Sequence, residues 1–395
     1  MNGTSELVTH SLSKQINRNW LLAGTFLMFT PSAFAMNYIP DVTVCLSGCD
    51  ETTIQAGIDA AANGQAILVM PGVYNESIIL GDGKILFSMG PNFTTTIDAV
   101  GLGSRTATIQ SGSTLDGFVI TGGSIIGDGG GVSAGIGSTI INNRITGNYA
   151  SVNGGGLSSV GSIVTQNVIS GNNADGRGGG AVLSSSTDFS KNTVENNTAY
   201  DGGGILLHTG SVVSKSIIKA NTATRYGGGV YFGDRYSHSK VINSLIIGNA
   251  ALSGGGVQFT GYSYAKVFHS TISGNTASYD GGGIGPGSYS MGIISNVISW
   301  GNNGGNLGST RYGSPLITYS LIDQDPLFKD AANGDYRLEF GSAAIDTGSN
   351  SGESGEDING TLRSQDGDGT GSGTTGDGSD YDIGAYEAVL EMCTS

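Results

Sequence analysis

The chain has 395 residues, 69 of them Gly, with 17 Lys+Arg against 32 Asp+Glu and a formal net charge of −15. Glycine this frequent without a strict triplet rule excludes collagen, and a hydrophobic share of 37% excludes a disordered tract. The acidic balance argues against nucleic acid as a partner, because phosphate backbones are held by clustered Lys and Arg.

Residues 1–35 read as an export signal. Lys14 and Arg18 precede an apolar run at 20–29, and Ala33-Phe34-Ala35 supplies the small-x-small cleavage pattern. The expected location is therefore secreted or cell surface. No later segment has the ~18–20 uninterrupted apolar residues that a bilayer span requires, so no transmembrane segment is expected in the mature chain. Cys45 and Cys49 follow directly. An oxidising compartment would close them as a disulfide, the rival reading being a metal pair, which lacks a nearby His. Cys393 is the odd thiol.

Residues 36–125 are expected to hold an N-terminal cap and the first coils. Thr52-Thr53-Ile54-Gln55 matches a capping box, with Ile54 and Ile58 on one face and Asn63-Gly64 as the stop. That predicts a short capping helix. Strand-like runs follow at 66–70, 78–80, 84–87, 106–110 and 115–120.

Residues 126–305 carry seven Gly-Gly-Gly triplets, at 129–131, 154–156, 178–180, 202–204, 227–229, 254–256 and 281–283. The steps between them are 25, 24, 24, 25, 27 and 27 residues. A fixed period in this range means stacked units that bury apolar surface only against their neighbours. After each triplet comes a short alternating segment, such as Val132-Ser133-Ala134 or Ile205-Leu206-Leu207. The second half of each unit reads apolar-x-x-Asn/Ser-x-Ile/Val-x-x-Asn, as in Ile140, Asn143, Ile145 and Asn148, and an Ala follows two positions later in six copies. Asn at a fixed corner tolerates left-handed dihedrals, bonds to nearby backbone and can ladder from coil to coil. Units this short, rich in Gly and β-branched residues, predict an all-β, single-stranded parallel β-helix: a solenoid with three short strands per coil. At about 4.8 Å per coil, the triplet-bearing coils alone make a rod roughly 30 Å long.

Residues 306–395 are expected to hold the last coils and an acidic C-terminal region. Strand-like runs lie at 316–322 and 336–340, with a turn at Asp325-Pro326-Leu327-Phe328. Asp366 and Asp368 alternate with Gly, either as the start of a calcium loop or as a flexible acidic loop. Calcium is the one cofactor the sequence suggests.

Gly202–Ile205 and Ile272–Asn275, with their Gly-Gly-Gly-Ile and Ile-x-Gly-Asn patterns, resemble the repeats of chlamydial-type polymorphic outer membrane proteins, although the membrane barrel of that family is missing here. The stretch 67–76 resembles the first coil of pectate-lyase-like β-helix proteins. The tail, from Asp325-Pro326-Leu327-Phe328 to Asp382-Ile383-Gly384-Ala385-Tyr386-Glu387, resembles the choice-of-anchor Q domain of exported bacterial β-helix proteins. These resemblances imply a right-handed coil, export and, for the first family, adhesion.

An outward patch of acids, bases and aromatics can be assembled from the aligned columns. Asp175, Arg177, Tyr200, Asp201, Arg225 and Tyr226 precede successive triplets, while His208, Tyr231, Asp234, Arg235, Tyr236 and His238 follow the neighbouring strands. Such side chains stack on and hydrogen-bond a sugar chain. The expected function is a non-catalytic exported β-helix that binds an extracellular polysaccharide or a cell-surface component. The alternative is a calcium-assisted polysaccharide lyase or glycoside hydrolase, with Asp201, Arg225 and His208 as its catalytic candidates. No nucleophile elbow, zinc motif, phosphate loop or dinucleotide fingerprint occurs.

Overall fold

The computed structural model describes residues 38–88, 93–309, 314–350, 355–363 and 381–388. The expected signal and Asp366, Asp368 and Cys393 lie outside them. Everything below belongs to the unit Pro40–Ser395.

The chain is an all-β, right-handed parallel solenoid of about eleven turns. A nine-stranded sheet takes the strands that follow the glycines, and here it is the glycine sheet. A twelve-stranded long sheet and an eleven-stranded asparagine sheet take the next two strands of each coil. A fourth strand, short and unexpected, joins these three in the repeat coils and builds a seven-stranded sheet. The sequence carried its signal. The Ala two positions after each corner Asn is the inward residue of this strand, and Ala150, Ala174, Ala199, Ala223 and Ala277 are at most 5% exposed.

Strands stack in register, so identical positions face one another through the rod. Ile140 pairs with Val164 and Ile145 with Ile169. In the repeat coils the middle residue of each three-residue strand of the long and asparagine sheets points inward, and the columns Leu115–Ile140–Val164–Phe189–Val213 and Ile120–Ile145–Ile169–Val194–Ile218 are fully buried. Alternation along a strand puts every second side chain on one face, and in-register stacking turns that alternation into a continuous core.

The corners explain the rest of the repeat. Asn172 Oδ1 accepts from the backbone N–H and the Nδ2 of Asn148, both at 3.0 Å. Its Nδ2 donates to Ile145 O at 2.9 Å and to Asn197 Oδ1 at 3.0 Å. One buried amide thus ties three coils. The ladder continues through Asn221, Asn249, Asn275 and Asn302 to Asn306. A second ladder runs Asn143–Asn167–Asn192, then continues through Ser216, Ser244 and Ser270, whose hydroxyls accept the backbone N–H of the preceding coil. The left-handed residue is not the ladder asparagine, as expected, but its predecessor: Asn142, Gln166, Lys191 and Lys215 in one column, Gly147, Gly171, Asn196 and Ala220 in the other.

The triplet Gly178-Gly179-Gly180 shows why three glycines are needed. Gly178 has φ +66°, which L side chains rarely adopt. A Cβ on Gly179 would sit against Thr198 O and 2.6 Å from Gly203 O, and one on Gly180 would lie 2.7 Å from Gly204 O and 3.0 Å from Asn197 Nδ2. The second and third glycines let neighbouring coils approach until the ladder closes.

Both ends are covered. Helix α1 (Ile54–Ala60) starts at Thr53, whose side chain accepts from Ala56 N. The expected Thr52/Gln55 box does not form. Glu76 of the first coil accepts from Ile54 N and Gln55 N at 2.8 and 2.9 Å, while Gln55 Oε1 accepts from Ile79 N at 2.8 Å. The helix thereby seals the open edge of the glycine sheet, as a solenoid cap must. At the other end, run 316–322 splits into two strands (Leu316–Thr318 and Leu321–Ile322), and Phe328 opens a hairpin strand rather than closing a turn.

The tail then folds back along the outer corner between the long and asparagine sheets. It binds the projecting left-handed residues: Ser349 N and O bond to Asn296, Glu356 O accepts from Asn243, and Lys215 pairs with Glu356. Arg363 is 2% exposed and reaches Asn243 Oδ1, Gly384 O, Asp382 O and Glu387. His269 lies beneath this arm, its Nε2 at 3.1 Å from Asn296 Nδ2. Burial, helped by the Arg363 charge, pulls its imidazole down to about 3.

Two expectations follow. Gly179→Ala should cost about 3 kcal/mol or more by forcing adjacent coils apart, read as a drop in thermal midpoint. A histidine held neutral in the fold contributes stability that is complete above its unfolded value near 6.5 and is lost as pH falls towards 3. Asp382, pushed up to about 8 by burial and by Glu387, titrates with the opposite sign. The stability difference between wild type and His269→Gln should therefore shrink between pH 7 and pH 4, as urea midpoints at each pH would report.

Candidate functional site

The outward patch expected from the sequence brackets the glycine sheet: Tyr200, Asp201, Arg225 and Tyr226 lie on strands of the seven-stranded sheet that lead into the triplets, Tyr231 lies on the glycine sheet itself, and His208, Asp234, Arg235 and Tyr236 lie in the turns that follow its strands. At the triplet end, one residue per coil stands immediately before the glycines, and these residues form a polar ladder. Asp128 Oδ1 accepts from Asn153 N and Nδ2, and Asn153 Oδ1 accepts from Arg177 N. Arg177 Nε lies 3.3 Å from Asp201 Oδ2. Arg225 then grips Asp201 bidentately, Nε to Oδ1 at 2.9 Å and Nη2 to Oδ2 at 2.7 Å. The Arg225 guanidinium sits 4.6 Å from the Tyr200 ring centre and 4.5 Å from that of Tyr226. Hydrogen bonding to Asp201 holds it above the usual arginine range, against the opposing effect of burial.

Asp201 is fully buried between the two arginines. A general acid or base must reach a proton on its substrate, and this carboxylate is turned inward with both oxygens bonded. Asp201 and Arg225 are thus occupied with each other. Asp175 accepts from the Tyr149 hydroxyl at 2.5 Å.

At the other end of the strands, His208 Nδ1 lies 2.5 Å from Asp234 Oδ1, and Asp234 Oδ2 accepts from Thr209 N and Oγ1 at 3.1 and 2.9 Å. Burial works to raise the Asp234 carboxyl, but the bonds from His208 and Thr209 outweigh it and hold it low. Beyond it, Tyr236, Tyr262 and Tyr289 occupy the same corner of successive coils, with φ of 61°, 59° and 58°. Their ring centres are 6.2 and 5.0 Å apart, the latter pair almost parallel. Arg235 lies 5.7 Å over Tyr262, and His238 stacks on Tyr264 at 5.5 Å.

Between the two rims, Val182, Leu206 and Tyr231 form an apolar floor, with Tyr226 packed against it. Further along the rod the floor opens into a groove of about 550 Å³, lined by Tyr226, Tyr231, Gln258, Tyr279, Asp280 and Ser288 among others. Tyr279 is 81% exposed.

The structure therefore gathers Arg177, Tyr200, Asp201, Arg225 and Tyr226 on one rim, Tyr231 on the floor, and His208, Asp234, Arg235 and Tyr236 on the other rim. Tyr262, Tyr264 and Tyr289 escaped the sequence reading. Their signal was a Tyr-Ser pair at one register position of three successive repeats: Tyr236-Ser237, Tyr262-Ser263 and Tyr289-Ser290. Tyr279, Gln258 and Asp280 were missed because outward positions vary from coil to coil. Cys45 and Cys49 form the disulfide. Among the described residues no group of three or more His, Cys, Asp or Glu could hold a metal ion, and no helix is long and apolar enough to cross a membrane.

No family model matches the chain, and no curated protein matches its sequence. Among solved structures, pectate lyase Pel9A superposes with a TM-score of 0.58 at 14% identity, over 85% of this chain and 90% of that one. A capsular polysaccharide depolymerase tailspike from Acinetobacter baumannii bacteriophage Fri1 gives 0.38 at 10% identity, over 75% and 65%. A pectin methylesterase in complex with a hexasaccharide gives 0.36 at 10% identity, over 76% and 99%. The first likeness establishes the pectate-lyase type of solenoid; the other two are too loose to add to it.

If Asp201 is a structural keystone, Asp201→Ala should lower stability by about 2 kcal/mol, since it strands two arginines at the rim. The companion Arg225→Ala should cost a similar amount, and the double variant little more than either alone, as denaturant titration of all three would show.

Proposed function

We propose that this chain is an exported, non-catalytic β-helix whose glycine-sheet face binds polysaccharide. One observation carries the reading: Asp201 is engaged with Arg177 and Arg225, and Asp234 with His208, whereas aromatic side chains remain at the rims of an open groove. Tyr200, Tyr226 and Tyr279 offer ring faces or edges beside hydroxyl and amide groups, the mixture that sugar chains require. The rod spaces such residues at the strand separation of about 4.8 Å, so a linear glycan lying along it meets a new contact in each coil. Work outside the cell is supported by the disulfide, which persists in oxidising compartments, and by the export-type N-terminus.

One geometric feature favours a second reading, a polysaccharide lyase or glycoside hydrolase. An imidazole oriented by a carboxylate, as in His208–Asp234, is the arrangement of a general base. Calcium held by Asp366 and Asp368 belongs to this second reading.

Incubating the purified chain with acidic and neutral polysaccharides, with and without calcium, separates the two. Binding should appear with no new reducing or unsaturated ends. Turnover that vanishes in His208→Ala would overturn the non-catalytic reading.

A further inference from the structure

The groove has a charge character that bears on which glycan it takes. Among the described residues, its lining contains no Lys, Arg or His. Three tyrosines (Tyr226, Tyr231 and Tyr279) together with Leu252 and Pro286 supply its apolar surface, and Ser253, Gln258, Thr260 and Ser288 its neutral polar groups. The one carboxylate is Asp280, whose oxygens accept from Ser309 N and Oγ at 2.9–3.1 Å. Arg225, on the rim beside Tyr226, is bonded to Asp201 and covered by the rings of Tyr200 and Tyr226.

From this we infer, resting on the glycan-binding reading above, that the groove selects uncharged polysaccharide, neutral hexose or N-acetylated hexosamine chains, and rejects uronates. A sugar carboxylate entering it would lose water and gain no cation from the described lining, a desolvation cost without a partner. It would also approach Asp280 and a chain of net charge −15. An uncharged sugar suffers neither penalty. Its C–H face can lie on the exposed ring of Tyr279, and its hydroxyls can exchange bonds with Ser253, Thr260 and Ser288. Tyr226, Leu252 and Tyr279 come from three successive coils, a span of roughly 10 Å along the rod that suits a disaccharide unit or slightly more. The fold resembles that of a pectate lyase, yet the described lining of this groove carries none of the basic side chains that an acidic glycan would need.

The test is affinity electrophoresis or calorimetry of the full chain with a neutral β-glucan, xylan, N-acetylchitooligosaccharides, polygalacturonate and alginate, each with EDTA and with calcium. The expected result is binding to at least one uncharged glycan, weakened about tenfold or more by Tyr279→Ala, and no binding to either uronate. Because Tyr279 is largely exposed, the variant should keep the wild-type melting curve, which separates loss of contact from loss of fold. Binding to polygalacturonate or alginate in preference to every neutral glycan would overturn the selectivity while leaving glycan binding intact. Neutral-glycan binding untouched by Tyr279→Ala would move the site out of this groove. Retention of none of the five would remove the glycan-binding reading itself, and this inference with it.

Discussion

A buried carboxamide that bonds to three coils at once is the interaction on which this solenoid depends. Parallel strands alone leave the corners with unpaired backbone groups, and those corners are buried. Asn at the second corner answers both demands together, since its Oδ1 takes a backbone N–H from the preceding coil and its Nδ2 donates to a backbone carbonyl there while also meeting the next Asn. Such a column works only in strict register, because a one-residue slip would take each amide out of line with the next and leave several buried polar groups unsatisfied. The triplet glycines serve the same column, holding the facing backbone close enough that a Cβ on Gly180 would press on Asn197.

The ladder logic also reaches the surface. Side chains one or two residues before the triplets lie within reach of the neighbouring coils whether or not a ligand is present, so opposite charges placed there find one another. Asp201 between Arg177 and Arg225 is the outcome. A solenoid thus converts a column of alternating acids and bases into structure, and what it leaves for recognition is the residue whose neighbour cannot bond to it. Tyr279 is such a residue. The tail exploits the same regularity on the opposite side of the coil, where the projecting residues Lys215, Asn243 and Asn296 anchor the returning arm.

Inward positions were legible in the sequence because burial imposes one chemistry on them in every coil: Ile145, Ile169 and Ile218 repeat, and so do the corner asparagines. The fourth strand went unseen because two or three residues with a single inward Ala carry little periodicity. Its alanines were visible but could not be told from a turn. The site was half legible. Sequence columns brought the patch residues to neighbouring coils, yet they do not reveal which acid faces which base, so Asp201 and Arg225 looked available when they are paired. The helix cap misled for a similar reason: Gln55 stands at the spacing of a capping box, but Glu76, distant in sequence, occupies the N-terminus and frees Gln55 to bond to Ile79. Tertiary partners decide such local choices.

The most direct measurement of the central claim is the equilibrium unfolding of Asn221→Ala, at the middle of the long ladder. Asn221 Nδ2 donates to Val194 O and Asn249 Oδ1, and its Oδ1 accepts from Asn197 N and Nδ2. Truncation leaves buried groups on both adjacent coils without partners, and the predicted loss is about 3 kcal/mol in a transition that remains cooperative along the rod. A loss below about 0.5 kcal/mol, in the range of an ordinary surface substitution, would contradict the account.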